Sequence, residues 1–154
     1  MAFHCHPRGA GASHLAGDQS LRDGNQTVEV STVDIERASR ALARVDPIKI
    51  DVEGFEIDVL EGARDTIAAD RPYVAIEFNS FTMIAFRNLN PRTLLEKLTR
   101  EFPYVYHRKD GVLARPSTAA EQFRFLRDNL IDHGCVMTCS ALGWRSVEMT
   151  EAGA

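Results

Sequence analysis

Ile48-Lys49-Ile50-Asp51-Val52-Glu53-Gly54-Phe55-Glu56 is the stretch from which the fold is read. Ile48 to Ile50 predicts a short apolar strand, and Gly54 permits a tight exit from it. Phe55, Val59, Ala63 and Ile67 then recur at spacings near four, which predicts an amphipathic helix. In open α/β sheets, ligands bind outside the carboxyl ends of the strands. Asp51 and Glu53 therefore stand where a site is expected.

Downstream, Arg71-Pro72 closes the helix, and Tyr73-Val74-Ala75-Ile76-Glu77-Phe78 predicts a strand apolar enough to be covered on both faces. A polar and aromatic loop is expected next. Asn90-Pro91 starts a helix, with proline at the first helical position and Leu94, Leu95, Leu98 and Phe102 as its buried stripe. Tyr104-Val105-Tyr106 predicts a third strand with Lys109-Asp110-Gly111 as its turn. Thr118 and Glu121 form a capping box for a helix that turns Phe123, Leu126 and Leu130 inward and stops at Gly134. Cys135 to Leu142 is a candidate last strand.

Upstream, Val28-Glu29-Val30 alternates like a short edge strand. Ser31 and Asp34 suggest a capping box for a helix carrying Ile35, Ala38 and Leu42 on one face, ended by Asp46-Pro47. Residues 1–26 show no periodicity and read as a flexible segment. The chain thus divides into a flexible segment over 1–26, an α/β domain over 27–145 and a tail over 146–154. Strands and helices alternate, with crossovers long enough to join parallel neighbours.

The 154 residues suffice for one core, and 44% hydrophobic with 26% charged residues is the composition of an ordinary globular domain. A formal net charge of -4 gives no reason to expect nucleic acid, and Arg37, Arg40 and Arg44 alternate with apolar residues as on a solvated helix face. No apolar run is long enough to span a bilayer and no secretory h-region is seen, so the expectation is a cytoplasmic protein without membrane partners. Cys5, Cys135 and Cys139 are read as reduced thiols. His4-Cys5-His6 and His133-x-Cys135-x-x-x-Cys139 lack the spacing of a zinc site, and no metal is assigned.

The run from Ile48 to Glu56, followed by Val59-Leu60-Glu61-Gly62-Ala63, resembles the signature of the FkbM-type methyltransferases. Val28 to Asp34 and Arg71 to Glu77 are similar to the family's flanking segments, and the resemblance extends to about Gly111. It implies a Rossmann-like methyltransferase sheet, S-adenosylmethionine as cofactor, and a small-molecule hydroxyl, such as that of a sugar, as acceptor. The family's first strand with its Asp-x-Gly-x-x-x-Gly loop, and the second strand ending in a ribose-binding acid, are not found. Gly9-Ala10-Gly11 follows no apolar strand and reads as loop. The expectation is a domain truncated in its N-terminal half, with no residue assigned to the cofactor and an open sheet edge that invites self-association. The alternative is a catalytically silent half-domain or interaction module.

Methyl transfer to a hydroxyl needs in-line approach and often a base. Asp51 is the first candidate for that role and Glu53 the second, while Glu77 and Asn79, ending the neighbouring strand, are candidates to bind the acceptor. Asp51, Glu77 and Asn79 would also suit Mg²⁺, but the resemblance implies no metal. Simpler roles exist as well: Asn79 as a cap, Glu77 as a partner of Lys49, and Glu56 as a carboxylate favoured at a helix N-terminus. Phe81, Phe86 and Tyr106 are candidates for an acceptor pocket or for ordinary core.

Overall fold

Val74, Ile76 and Phe78 are fully buried while Tyr73 between Pro72 and Val74 is exposed and Ala75 and Glu77 are half-buried, so this strand shows only one face to the core. The expectation of two covered faces is corrected by that alternation. The computed structural model describes residues 2–4, 14–15, 26–109, 112–132 and 135–140. In chain order the strands are β1 (Ala2–His4), β2 (His14–Leu15), β3 (Gln26–Thr27), β4 (Pro47–Ile50), β5 (Tyr73–Phe78), β6 (Tyr104–Lys109), β7 (Val112–Ala114) and β8 (Cys135–Ser140). The helices are α1 (Val33–Ser39), α2 (Glu56–Glu61), α3 (Arg64–Asp70), α4 (Ser80–Arg87), α5 (Pro91–Glu101) and α6 (Ala119–Asp132).

A five-stranded sheet runs β4-β5-β8-β6-β7. β4 and β5 are parallel, with Ile48 opposite Val74 and Ile50 opposite Ile76, so the buried residues of both strands share a face. Beyond β5 the sheet is antiparallel: β8 pairs with β5 and β6, and β7 with β6. The expected parallel series is therefore wrong after β5. The β6–β7 hairpin reverses the chain, and α6 then delivers β8 between β5 and β6. Leu94, Leu95, Leu98, Met137 and Phe78 pack in one core cluster. Burying a phenylalanine of this kind contributes roughly 1.5–3 kcal/mol.

The single helix expected from Phe55 to Ile67 is two, α2 and α3. Its ladder is interrupted from outside. Gly62 O accepts from Asp34 N at 2.9 Å, and Thr66 N, which would continue the ladder, donates instead to Asp34 Oδ1 at 2.8 Å. Asp65 N donates to Asp34 Oδ2 at 3.1 Å. Asp34 thus caps α3 across space, and the N-cap of α1 is Thr32, whose hydroxyl accepts from Ile35 N at 3.2 Å, rather than a Ser31–Asp34 box. α1 ends at Ser39, and Ile35 is 59% exposed, which overturns the expected apolar face through Leu42.

The loop expected after β5 is a helix, α4, capped by Asn79. α5 starts at Asn90-Pro91 as read, with Leu94, Leu95 and Leu98 buried. Its buried Lys97 donates to Glu101 at 2.9 Å and also to Glu61, tying α5 to α2. The Thr118–Glu121 capping box is present, Glu121 Oε2 accepting from Thr118 N at 2.8 Å and Thr118 Oγ1 from Glu121 N at 3.2 Å. The inward face of α6 is Phe125 and Asn129; Phe123 is 70% exposed and Leu130 is exposed too, correcting the predicted face by a small rotation. Phe125 meets the Phe78 ring edge-on at 4.9 Å.

β1, β2 and β3 form a small antiparallel sheet, ordered β2-β1-β3, within and just beyond the segment read as aperiodic. Val28 to Val30, expected as an edge strand, has no regular structure; the strand ends at Thr27. Gly9-Ala10-Gly11, Asp110-Gly111 and Gly134 lie outside the described residues. No helix among the described residues is long and apolar enough to cross a membrane.

Candidate functional site

The turn that leaves β4 is held in a conformation few sequences adopt. Glu53 has φ 50° and Gly54 has φ 100°, both left-handed. At Gly54 a side chain is excluded twice, by the backbone angle and by crowding: a Cβ would meet Thr82 O at 3.1 Å and Arg87 Cγ at 3.2 Å. Glu53 has no such excuse, and a non-glycine residue kept there marks strain the surroundings sustain.

Glu56 helps to sustain it. Only 2% exposed, its Oε1 accepts from Gly54 N at 3.0 Å and so closes the turn from the first residue of α2. Burial pushes its pKa up, against the backbone hydrogen bonds that favour the charged form. The reading of Glu56 as a surface carboxylate at a helix terminus is thereby replaced by a buried brace. From the other side Arg87 of α4 donates to Asp58 at 2.9 Å and lies 3.8 Å over the Phe55 ring. This fastens α4 to the start of α2.

Three carboxylates share the mouth above this turn. Asp51 accepts from Lys49 Nζ at 2.6 Å and stands beside Glu77 at the end of the parallel neighbour. Glu77 is raised first by burial, then by the charge of Asp51, with Lys49 opposing. Glu53 is raised by burial and then by the charges of Glu77, Asp51 and Glu56, with the nearby Thr82 hydroxyl opposing. Glutamates held above their ordinary value by desolvation and like charge can exchange protons closer to neutrality.

Asp51, Glu53 and Glu77 are thus brought together. Asn79 lies at the same sheet end, but its side-chain oxygen accepts from Phe81 N at 3.1 Å and Thr82 N at 3.3 Å, so it serves as the N-cap of α4. Phe81 is exposed, while Phe86 and Tyr106 are half-buried. The residues that sequence reasoning missed are Thr82, Arg87 and Asn129. Asn129 is 4% exposed and binds both sides of Asn79 from α6. Only the Glu-Gly-x-Glu spacing hinted at the brace by Glu56, and nothing local pointed to a partner about fifty residues away.

Among the described residues no group of three or more His, Cys, Asp or Glu is arranged to hold a metal ion. His4-Cys5-His6 and the His133, Cys135 and Cys139 group lie outside the residues whose side chains are described. The described glycines, Gly54 and Gly62, are both crowded: a Cβ on Gly62 would stand 3.0 Å from Thr32 Cβ. Neither opens a backbone cradle for a nucleotide, and the other glycines lie outside the described residues.

A family model described as Methyltransferase FkbM domain matches residues 3–135, a longer span than the signature segments alone. Comparison with curated proteins and with solved structures gave no match.

Proposed function

The chain belongs to the FkbM methyltransferase domain family, and from that premise we propose that it transfers a methyl group from S-adenosylmethionine to a hydroxyl of a sugar or other small molecule. The five-stranded sheet would be part of a Rossmann-like methyltransferase sheet, and the carboxyl ends of β4 and β5 its acceptor side. The observation that carries this reading is the acidic turn at the end of β4, inside the matched span.

Within it the carboxylates divide the work. Asp51 is engaged by Lys49 and Glu77, which suits it to orient a hydroxyl. Glu53, on the strained turn and raised by burial and its acidic neighbours, is suited to take the hydroxyl proton. This reverses the order in which the sequence ranks the two. Glu77 supplies a further acceptor contact, and Asn79 shapes the rim through its cap.

A second reading is a catalytically silent domain that keeps the sheet as an interaction module. One assay separates them: incubation with methyl-labelled S-adenosylmethionine and a panel of sugar and small-molecule hydroxyl acceptors. Label on an acceptor oxygen is expected from the first reading. No transfer to any member at saturating donor leaves the second.

A further inference from the structure

Ser80, Phe81 and Thr82 open α4 with three N–H groups that no helical carbonyl can reach. Asn79 accepts from Phe81 N and Thr82 N, and the remaining donor, Ser80 N, is bound from α6 by Asn129 Oδ1 at 3.0 Å. The same Oδ1 accepts from Ser80 Oγ at 2.5 Å, while Asn129 Nδ2 donates to Phe78 O at 2.9 Å. Asn129 and Ser80 are both buried, at 4% and 0% exposure. One amide therefore grips the residue before and the residue after Asn79, at the corner where β5 becomes α4.

Two groups of the acidic mouth hang from that corner. Glu77 immediately precedes Phe78 and stands beside Asp51 across the parallel β4–β5 pair. Thr82 stands two residues after Ser80, and its hydroxyl donates to Asn79 O at 3.1 Å. The whole corner approaches the strained turn closely, since Thr82 O limits what can stand at Gly54. We propose that Asn129 is a positioning residue for the acidic mouth: its hydrogen bonds to Phe78 and Ser80 fix the β5–α4 corner, so that Glu77 stays beside Asp51 and Thr82 stays against the turn at Gly54. The functional importance of this positioning rests on the methyltransferase reading of the mouth, but the geometry it enforces does not.

An amide suits this task because it presents a donor and an acceptor side by side. Leucine has similar volume and neither group, so Asn129→Leu leaves Phe78 O, Ser80 N and Ser80 Oγ without this partner. Ser80→Ala removes only the hydroxyl and is the milder variant. Thr66→Val provides a control elsewhere, breaking the buried hydroxyl bond to Asp34 at 2.6 Å on α3, away from the acidic turn.

The measurement is a carbon-detected NMR titration of side-chain carboxyls in the full chain, following Glu53 and Glu77 amid Asp51, Glu56 and Lys49. In folded Asn129→Leu the Glu77 midpoint is expected to fall toward the ordinary glutamate value as it separates from Asp51, with Glu53 moving too, while Thr66→Val leaves both in place. Should Asn129→Leu not fold, Ser80→Ala carries the test, with a smaller fall expected. Unchanged midpoints in a folded Asn129→Leu, or in Ser80→Ala where the first variant does not fold, overturn the proposal. Equal movement in Thr66→Val overturns it as well, because general loosening would then account for the effect. A chain that transfers no methyl group would sink the catalytic reading while leaving these titrations to decide the role of Asn129.

Discussion

Asp51 and Glu77 directly follow Ile50 and Ile76, which pair across the parallel strands β4 and β5, so the two carboxyl groups stand side by side at the carboxyl end of the sheet. Lys49 is ion-paired with Asp51, while Glu77 is held above its usual range by burial first and then by the charge of Asp51.

Glu53→Gln is expected to lower turnover by roughly 10²-fold or more in labelled-methyl assays, with little change in melting temperature. Asp51→Asn should lower it as well, mainly by misplacing the acceptor. A base must be ionised to act, so wild-type activity should rise with pH through a midpoint displaced upward from ordinary glutamate. Full activity in Glu53→Gln would move the proton-accepting role elsewhere.

Glu56→Gln tests the brace. A carboxyl whose folded pKa is raised contributes stability that is fully present below the unfolded value and lost as pH rises through the folded one. Glutamine keeps an acceptor for Gly54 N and cannot ionise. The variant is therefore expected to gain on wild type as pH is raised from acid toward neutral, measured by urea unfolding at several pH values. A difference that stays constant with pH would show that Glu56 titrates alike in the folded and unfolded chain.

Gly54→Ala should destabilise by about 1–3 kcal/mol, since it combines a left-handed backbone with a Cβ pressed on Thr82 O. Gly62→Ala is the comparison: φ there is -75° and the crowding atoms belong to the exposed Thr32 side chain, so a smaller loss is expected. Thermal unfolding of both variants checks the order.

Isothermal titration with S-adenosylmethionine is expected to give a dissociation constant weaker than about 1 μM, short of roughly 8 kcal/mol of binding free energy. Tighter binding would mean that a cofactor cradle exists beyond the described glycines.

β4 ends the five-stranded sheet, and its outer edge is proposed as a route to self-association. Sedimentation at increasing concentration should show a growing heavier species. Replacing Lys49 by proline, which removes a backbone donor, should suppress it if Lys49 N–H faces outward. A single species across the range would remove the proposal.

The sequence alone determined what depends on neighbours along the chain. Ile48 to Glu56 read correctly as strand, turn and helix start, Asn90-Pro91 and Thr118 with Glu121 as caps, and Tyr73 to Phe78 as a strand, because each rests on backbone preferences and hydrogen bonds spanning a few residues. It also placed Asp51 and Glu53 at a strand end. The tertiary structure decided whatever a distant residue supplies. Asp34 splits the helix after Gly54 and caps α3, Asn129 completes the start of a helix where a loop was expected, and β8 enters between β5 and β6. Glu56 changes from an exposed helix-terminal charge to a buried brace once α4 closes over the turn. Periodicity records which residues are apolar, but strand order and long-range capping are fixed only when the whole core has packed and each buried polar group has found its partner.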